Sequence, residues 1–129
     1  MKEEIKKILE KDTGFYHNNK YQLEEIEEDK VVLKAPITKD IMNPYNICHG
    51  GFIFGLGDHA MGILASVTGR KALTLNANIN YISKGIGEYL KAEAKIVKKG
   101  KTTCFLKTNI YNNDNKLVAT MNSTYYYID

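Results

Sequence analysis

The chain has 129 residues, a length that fits one domain, and we treat residues 1–129 as a single unit. Its net charge of +3 and pI of about 8.7 are too weakly basic to argue for nucleic acid, but they suit a ligand carrying a few phosphates. Two cysteines provide neither a disulfide framework nor a metal-ligand spacing. The charged N-terminus lacks the apolar core of a signal peptide, so we expect a cytoplasmic protein that binds no membrane.

The first forty residues predict one short helix and two strands. Residues 3–11 are amphipathic, with apolar side chains on one face and Lys and Glu on the other. Residues 15–20 are predicted to be a loop. Residues 21–27 and 31–37 have strand patterns and are joined by a charged turn, and Pro36 places the end of the second strand at an edge or a bulge.

The stretch 51–67 predicts the element around which the rest of the chain is organised. Its apolar side chains lie on every side of a helical wheel, and it holds one carboxylate, Asp58, one imidazole, His59, and no Lys or Arg. A helix that is apolar all round is a buried helix. At about 1.5 Å per residue it is roughly 25 Å long, and its four glycines together with Asp58 and His59 argue against a membrane span.

Four strand patterns follow this helix. Residues 73–81 alternate without interruption between apolar side chains and polar Thr and Asn, and further strands are predicted at 90–96, 102–111 and 117–128. The three asparagines of the first of these strands face either an interface or water. Short turns between consecutive strands imply an antiparallel sheet. The sequence therefore predicts an α+β fold in which an antiparallel sheet wraps around one long helix.

A spaced motif leads into the helix. The pattern N-x5-H-G-G-x6-D, formed by Asn43, His49, Gly50, Gly51 and Asp58, resembles the hotdog-fold acyl-CoA thioesterases of the PaaI type. The later stretches 73–83 and 89–127 fit that family as well, so the resemblance covers nearly the whole chain. It implies a hotdog fold, an acyl-CoA substrate, no metal or redox cofactor, and dimers, often paired into tetramers, with two sites at the subunit interface.

The same resemblance implies a role for each matching residue. Gly50 would supply the backbone N–H of an oxyanion hole, Asp58 the catalytic carboxylate, and Asn43 and His49 would shape the site. Thr74 stands where related enzymes carry a hydroxyl that positions water. Elementary chemistry is compatible with these roles, since a helix N-terminus favours negative charge and a carboxylate can act as general base or nucleophile. We expect the N–H groups of Gly50 and Gly51 to be open to a ligand.

The spacing of two of these residues bears on oligomeric state. Eight residues separate Gly50 from Asp58, which is about 12 Å along a helix axis. An oxyanion donor and a catalytic carboxylate must both lie near one carbonyl group, so a site within one chain is too wide. A two-fold dimer with antiparallel helices would bring Gly50 of one subunit toward Asp58 of the other. We therefore expect a homodimer with shared sites.

Several residues keep a structural alternative. Lys99 and Lys101 flank Gly100 in a basic turn, and they either meet the phosphates of coenzyme A or belong to a solvated face. His49 can be a satisfied structural histidine. Asp58 can hydrogen-bond to a neighbouring backbone, because a buried carboxylate requires some partner. Cys48, although next to a histidine, fits a buried inert thiol better than a Cys–His pair.

Three functions are compatible with the motif. The first is acyl-CoA thioester hydrolysis, which the presence of Asp58 favours. The second is a non-catalytic acyl-CoA-binding hotdog protein, although residues 1–20 are too short for the helix-turn-helix that a gene-expression sensor would need. The third is a hotdog dehydratase or hydratase that uses His49 and Asp58 as an acid/base pair. The sequence does not specify the acyl group.

Overall fold

The computed structural model of the chain describes all residues, 1–129. The elements in chain order are α1 (Lys2–Glu10), α2 (Phe15–Asn18), β1 (Gln22–Ile26), β2 (Lys30–Pro36), a 3-10 turn (Lys39–Ile41), α3 (Gly50–Ala65), β3 (Ala72–Tyr81), β4 (Tyr89–Lys99), β5 (Thr103–Asn112) and β6 (Leu117–Tyr127). All strand pairs are antiparallel and form one six-stranded sheet in the order β1-β2-β4-β5-β6-β3. The predicted α+β fold, with one long helix against one antiparallel sheet, is confirmed.

The core lies between α3 and the inner face of the sheet. Alternate residues of β4, β5 and β6 are buried there, and α3 buries Leu56, Ala60, Met61 and Leu64 against them. The approach is closest at Gly57, where an added Cβ would lie 2.2 Å from Met121 Sδ. Only glycine fits at this crossing, which explains a residue that costs helix stability by about 1 kcal/mol relative to alanine.

Strand β3 departs from the predicted uninterrupted alternation. Its pairing with β6 shifts register between Thr74 and Asn76, so Leu75 is the extra residue of a β-bulge. Thr74 pairs with Tyr125, whose side chain lies on the inner face of the sheet. The bulge therefore turns Thr74 toward α3, whereas strict alternation would have placed it on the opposite face from Tyr81. The prediction of a regular strand was wrong at this residue.

Strand β3 is also an unpaired edge of the sheet. Apolar side chains along it remain exposed, with Leu73 at 50%, Leu75 at 61% and Tyr81 at 51% of their full accessibility. Asn76, Asn78 and Asn80 pair with polar residues of β6 on the outer face. A long edge strand that leaves both backbone groups and apolar side chains open is unusual for an isolated chain.

Residues 15–20, predicted to be a loop, contain the short helix α2. Its start is fixed by Asp12, whose carboxylate accepts hydrogen bonds from the N–H groups of Gly14 and His17, both at 3.0 Å. The rings of Phe15 and Tyr16 then pack against His59 of α3, with centroids 6.2 and 5.4 Å away. The segment forms a helix because this local cap and aromatic packing outweigh the low helix preference of its asparagines.

None of the helices is both long enough and apolar enough to cross a membrane.

Candidate active site

The carboxylate of Asp58 is held through one of its two oxygens. Asp58 lies in the third turn of α3 and is half-buried. Its Oδ1 accepts hydrogen bonds from the hydroxyl of Tyr125, at 2.5 Å, and from the hydroxyl of Thr74, at 2.9 Å. No side chain or backbone group of the chain hydrogen-bonds to Oδ2. One oxygen is thus fixed, and the other is free to meet a substrate or a water molecule.

Tyr125 is suited to remain a hydrogen-bond donor. Burial raises the pKa of its hydroxyl well above the usual range, and the nearby charge of Asp58 raises that pKa further. The same hydroxyl lies 2.6 Å from the backbone carbonyl oxygen of Asp58. Because a phenol carries one proton, this proton is shared between two acceptors of the same residue. Tyr125 therefore fixes both the side chain and the backbone at this point of α3.

The N-terminus of α3 leaves one backbone donor open. His49 is the N-cap, and its Nδ1 accepts a hydrogen bond of 2.8 Å from the N–H of Gly51. The N–H of Gly50 has no partner within the chain. The expectation that both glycine N–H groups are open was therefore wrong for Gly51. With Nδ1 acting as an acceptor, a neutral His49 carries its proton on Nε2, where it is available to a ligand.

Two further residues build this end of the helix. Asn43 Oδ1 accepts hydrogen bonds from the N–H groups of Tyr45, at 2.9 Å, and Ile47, at 3.4 Å, which closes the loop that leads into α3. The hydroxyl of Tyr81 donates to the carbonyl oxygen of Gly50 at 2.7 Å. Asn43 therefore shapes the approach to the helix, and Tyr81 ties the helix start to the end of β3.

The other polar side chains around the motif have structural surroundings. Cys48 is buried, and burial raises the pKa of its thiol to about 12, so it is an inert thiol as predicted. His59 lies among the rings of Phe15, Tyr16 and Tyr21, and burial lowers the pKa of its imidazole. No group of three or more His, Cys, Asp or Glu side chains lies close enough together to hold a metal ion.

The basic turn is connected to the Asp58 region through one arginine. Lys99 is the last residue of β4, and Gly100 and Lys101 belong to the turn that follows. The carbonyl oxygen of Lys101 accepts a hydrogen bond of 2.8 Å from Arg70. Arg70 in turn lines the same cavity as Asp58. Lys99 and Lys101 are exposed and form no ion pair within the chain, so their charges are available.

The predicted residues therefore form two groups rather than one. Asp58 and Thr74 meet at the start of β3, whereas His49, Gly50 and Gly51 meet the end of β3 through Tyr81. Sequence reasoning missed Tyr125 and Tyr81, which had been treated as ordinary strand residues. One signal was available for Tyr125. It lies in phase with Met121 and Ser123, and a buried tyrosine hydroxyl usually needs a partner.

Comparison with known proteins identifies the family. A model of the thioesterase superfamily matches residues 45–119, which is more than half of the chain. The chain belongs to the thioesterase superfamily. Its predicted enzyme class, a hydrolase acting on thioester bonds, agrees with this membership. The acyl-coenzyme A thioesterase PaaI of Escherichia coli is 30% identical over 95 residues, which cover 73% of this chain and 68% of that protein.

Solved structures of this superfamily share the fold. The Escherichia coli PaaI structure superposes with a TM-score of 0.91 at 24% identity, covering 96% of this chain and 90% of that chain. A hypothetical thioesterase protein of Streptococcus pneumoniae TIGR4, solved with coenzyme A, has a TM-score of 0.80 at 28% identity and covers 84% of this chain and 85% of its own. The predicted hotdog fold of the PaaI type is confirmed.

Proposed function

We propose that this thioesterase superfamily member hydrolyses acyl-CoA thioesters to a free acid and coenzyme A, with Asp58 as the catalytic carboxylate. The observation that carries the proposal is the arrangement of Asp58, which is fixed through Oδ1 by Thr74 and Tyr125 and is free at Oδ2 beside a cavity. The coenzyme A thioester is supported by the name of the Escherichia coli relative and by the coenzyme A in the Streptococcus pneumoniae structure.

The reaction uses the free oxygen of Asp58. Acting as general base, Oδ2 takes a proton from water while the water oxygen bonds to the acyl carbon; acting as nucleophile, Oδ2 bonds to that carbon itself. The thioester oxygen becomes negatively charged and is stabilised by the open N–H of Gly50 at a helix N-terminus. The carbon–sulfur bond then breaks, and the coenzyme A thiolate leaves and takes up a proton. In the nucleophile route, water subsequently hydrolyses the acyl-aspartyl anhydride.

The complete site requires a second subunit. About 12 Å of helix separates Gly50 from Asp58, which is too far for one carbonyl group. Thr74 and Tyr81 lie seven residues apart on the inner face of the unpaired edge strand β3, and each contacts one half of the site. Antiparallel pairing of two β3 strands about an axis at Asn78, with Leu75 as the extra residue of the bulge, would place Thr74 opposite Tyr81 of the partner subunit.

This pairing has two physical advantages. It satisfies the open backbone groups of β3 and covers its exposed apolar side chains, including Leu75. It also brings the Gly50 end of one subunit to the Asp58 end of the other, so that both halves of the site meet twice in the dimer. A tetramer formed from two such dimers would leave this arrangement unchanged.

The proposal is tested by assaying purified protein with a thiol-trapping reagent against a panel of acyl-CoAs. We expect release of free coenzyme A with saturable kinetics, and loss of that release in Asp58→Asn. Tight acyl-CoA binding without release would indicate the non-catalytic alternative. Dehydration of a 3-hydroxyacyl-CoA, or hydration of a 2-enoyl-CoA, without thiol release would indicate a dehydratase or hydratase.

A further inference from the structure

The cavity beside Asp58 has a mainly apolar wall. It has a volume of about 490 Å³, within the range of small-molecule sites, and lies between α1, the second half of α3 and the start of β3. Asp58 and Thr74 stand on one side of it. Its apolar lining comes largely from α1 and the residues facing it: Ile5, Ile8, Leu9, Ile63, Ala72 and Leu73.

Helix α1 is anchored by one side chain and leaves another open toward this cavity. Ile5 is buried in the hydrophobic core and anchors the helix there. Ile8 follows one turn later and lines the cavity, but 67% of its surface remains exposed. Apolar side chains that converge on an open cavity next to a catalytic carboxylate favour an apolar occupant.

No cationic side chain inside the cavity is free to bind a carboxylate at the end of an acyl chain. Arg70 is held by Asp129 at 3.2 Å and by the Lys101 carbonyl, and its guanidinium lies 3.8 Å from the centre of the Tyr127 ring. Glu4 lies 3.7 Å from the N-terminal ammonium group. Lys71 is exposed at the rim. The cavity therefore suits an uncharged group better than an acyl chain that ends in a carboxylate.

We infer that the cavity under α1 binds an uncharged, apolar acyl group longer than acetyl, and that Ile8 sets the chain length accepted. This inference rests on the proposed acyl-CoA hydrolysis and specifies its substrate class. Each methylene group buried in the cavity removes apolar surface from water. We expect kcat/KM to rise about fourfold per added methylene group until the chain reaches Ile8, and then to stop rising.

The test compares two substitutions on α1 that introduce the same side chain. Ile8→Trp fills the cavity from an exposed position, where no core packing is lost, whereas Lys7→Trp adds tryptophan to an exposed position outside it. Both variants and the wild type are assayed on straight-chain acyl-CoAs from acetyl to palmitoyl, and on glutaryl-CoA. We expect Ile8→Trp to move the optimum to shorter chains, and Lys7→Trp to keep the wild-type profile.

The possible outcomes separate this inference from the proposed function. A wild-type protein that hydrolyses no acyl-CoA contradicts the proposed function itself. If the wild type hydrolyses acyl-CoAs but Ile8→Trp leaves kcat/KM unchanged for every chain length, or lowers it by the same factor for all of them, only the role of Ile8 and α1 is overturned. A wild type that prefers glutaryl-CoA over the apolar acyl-CoAs overturns the uncharged class. If light scattering shows that Ile8→Trp no longer forms a dimer, the cavity is occupied by the partner subunit and not by an acyl group.

Discussion

At the scale of single residues, the two oxygens of Asp58 have different surroundings. Oδ1 accepts from Thr74 and Tyr125, and Oδ2 accepts from no group of the chain. A side-chain amide in the same position can keep its oxygen toward both hydroxyls while placing a nitrogen where Oδ2 was. Asp58→Asn therefore preserves the local hydrogen bonds and removes the atom that would act as base or nucleophile.

We predict that Asp58→Asn lowers kcat by at least about 100-fold, since general-base catalysis typically contributes 10²–10⁴. Acyl-CoA binding should survive, because the substitution removes an interaction with the transition state rather than with the bound substrate. Thermal stability should hold or rise, because a half-buried charge has become neutral. Steady-state kinetics, equilibrium binding and thermal unfolding measure the three effects. Asp114→Asn, in the exposed β5–β6 turn, is the matched control. A normal kcat in Asp58→Asn would show that Asp58 has no catalytic role.

Tyr125 gives a second prediction at this scale. Tyr125→Phe removes a donor to the carboxylate form of Asp58, and a hydrogen bond to a charged group contributes about 1.5–3 kcal/mol. We expect kcat/KM to fall by about one to two powers of ten, which is that free energy converted into a rate. Tyr126→Phe, on the opposite face of the same strand, is the control. A Tyr125→Phe variant that keeps the wild-type kcat/KM would show that the Tyr125 hydroxyl does not position Asp58 for catalysis.

The sequence predicted these residues unevenly. Asp58 stood out because it is the only carboxylate in an apolar helix, and Gly50 because a spaced motif places it at the helix start. The contact between Thr74 and Asp58 could not be derived from alternation, because it depends on a bulge at Leu75 that no local pattern announces. The contact of Tyr125 with Asp58 could not be predicted either, because it depends on the pairing of β6 with β3, two strands that are distant in the sequence.

At the scale of elements, α1 and α2 illustrate what local patterns can and cannot predict. The amphipathic period of α1 fixed its position within one residue at each end, since apolar residues three and four apart share a face. The four-residue α2 has too few residues for a period. It forms because Asp12 caps it and because its rings pack against His59, a contact between distant parts of the chain.

The hairpin between β4 and β5 carries the next prediction. Lys99→Glu combined with Lys101→Glu should raise KM for an acyl-CoA more than for the corresponding acyl thioester of N-acetylcysteamine, which lacks the nucleotide. The expected reason is the loss of charged contacts to phosphates. Because both lysines are exposed, the effect should shrink as the salt concentration rises.

The control for this experiment keeps the change in net charge. Lys107→Glu combined with Lys116→Glu alters two exposed lysines, one on the outer sheet face and one in the β5–β6 turn. We expect this variant to retain the wild-type KM for both substrates. Equal losses on both substrates in the Lys99/Lys101 variant would contradict phosphate binding at this hairpin, and equal losses in both variants would point to a general effect of charge.

At the scale of the whole molecule, the edge strand β3 contacts both halves of the proposed site, Asp58 through Thr74 and Gly50 through Tyr81. The number of residues between Gly50 and Asp58 was enough to predict that the two residues of one chain cannot both reach a single carbonyl group, because the rise per residue of a helix is fixed. The position of β3 at the sheet edge required the structure, because strand order is set by contacts between distant segments. Because β3 contacts both halves of the proposed site and has an open edge, we expect it to pair with β3 of a second copy of the chain.

The proposed sharing of each site between two subunits predicts that two inactive chains can together form an active dimer. Gly50→Pro deletes the open N–H, and the extended backbone of His49 is compatible with a following proline, which is favoured at the first helical position. The added Cβ would lie 3.1 Å from the hydroxyl of Tyr81, so the ring of this half-exposed residue has to shift by a few tenths of an ångström. We expect Gly50→Pro alone to lose about 10²–10³ in kcat, the typical effect of removing one oxyanion donor.

Mixed dimers of Asp58→Asn and Gly50→Pro chains, isolated through two different affinity tags, decide whether the site is shared. If each site takes its carboxylate from one subunit and its oxyanion donor from the other, a mixed dimer has one site with both defects and one intact site. It should therefore recover up to half of the wild-type activity, although both homodimers are nearly inactive. If each site lay within one chain, every site of the mixed dimer would carry one defect and activity would stay near zero. Circular dichroism and light scattering of the Gly50→Pro homodimer establish that this chain folds and pairs, so that a failure to recover activity would count against the shared site itself.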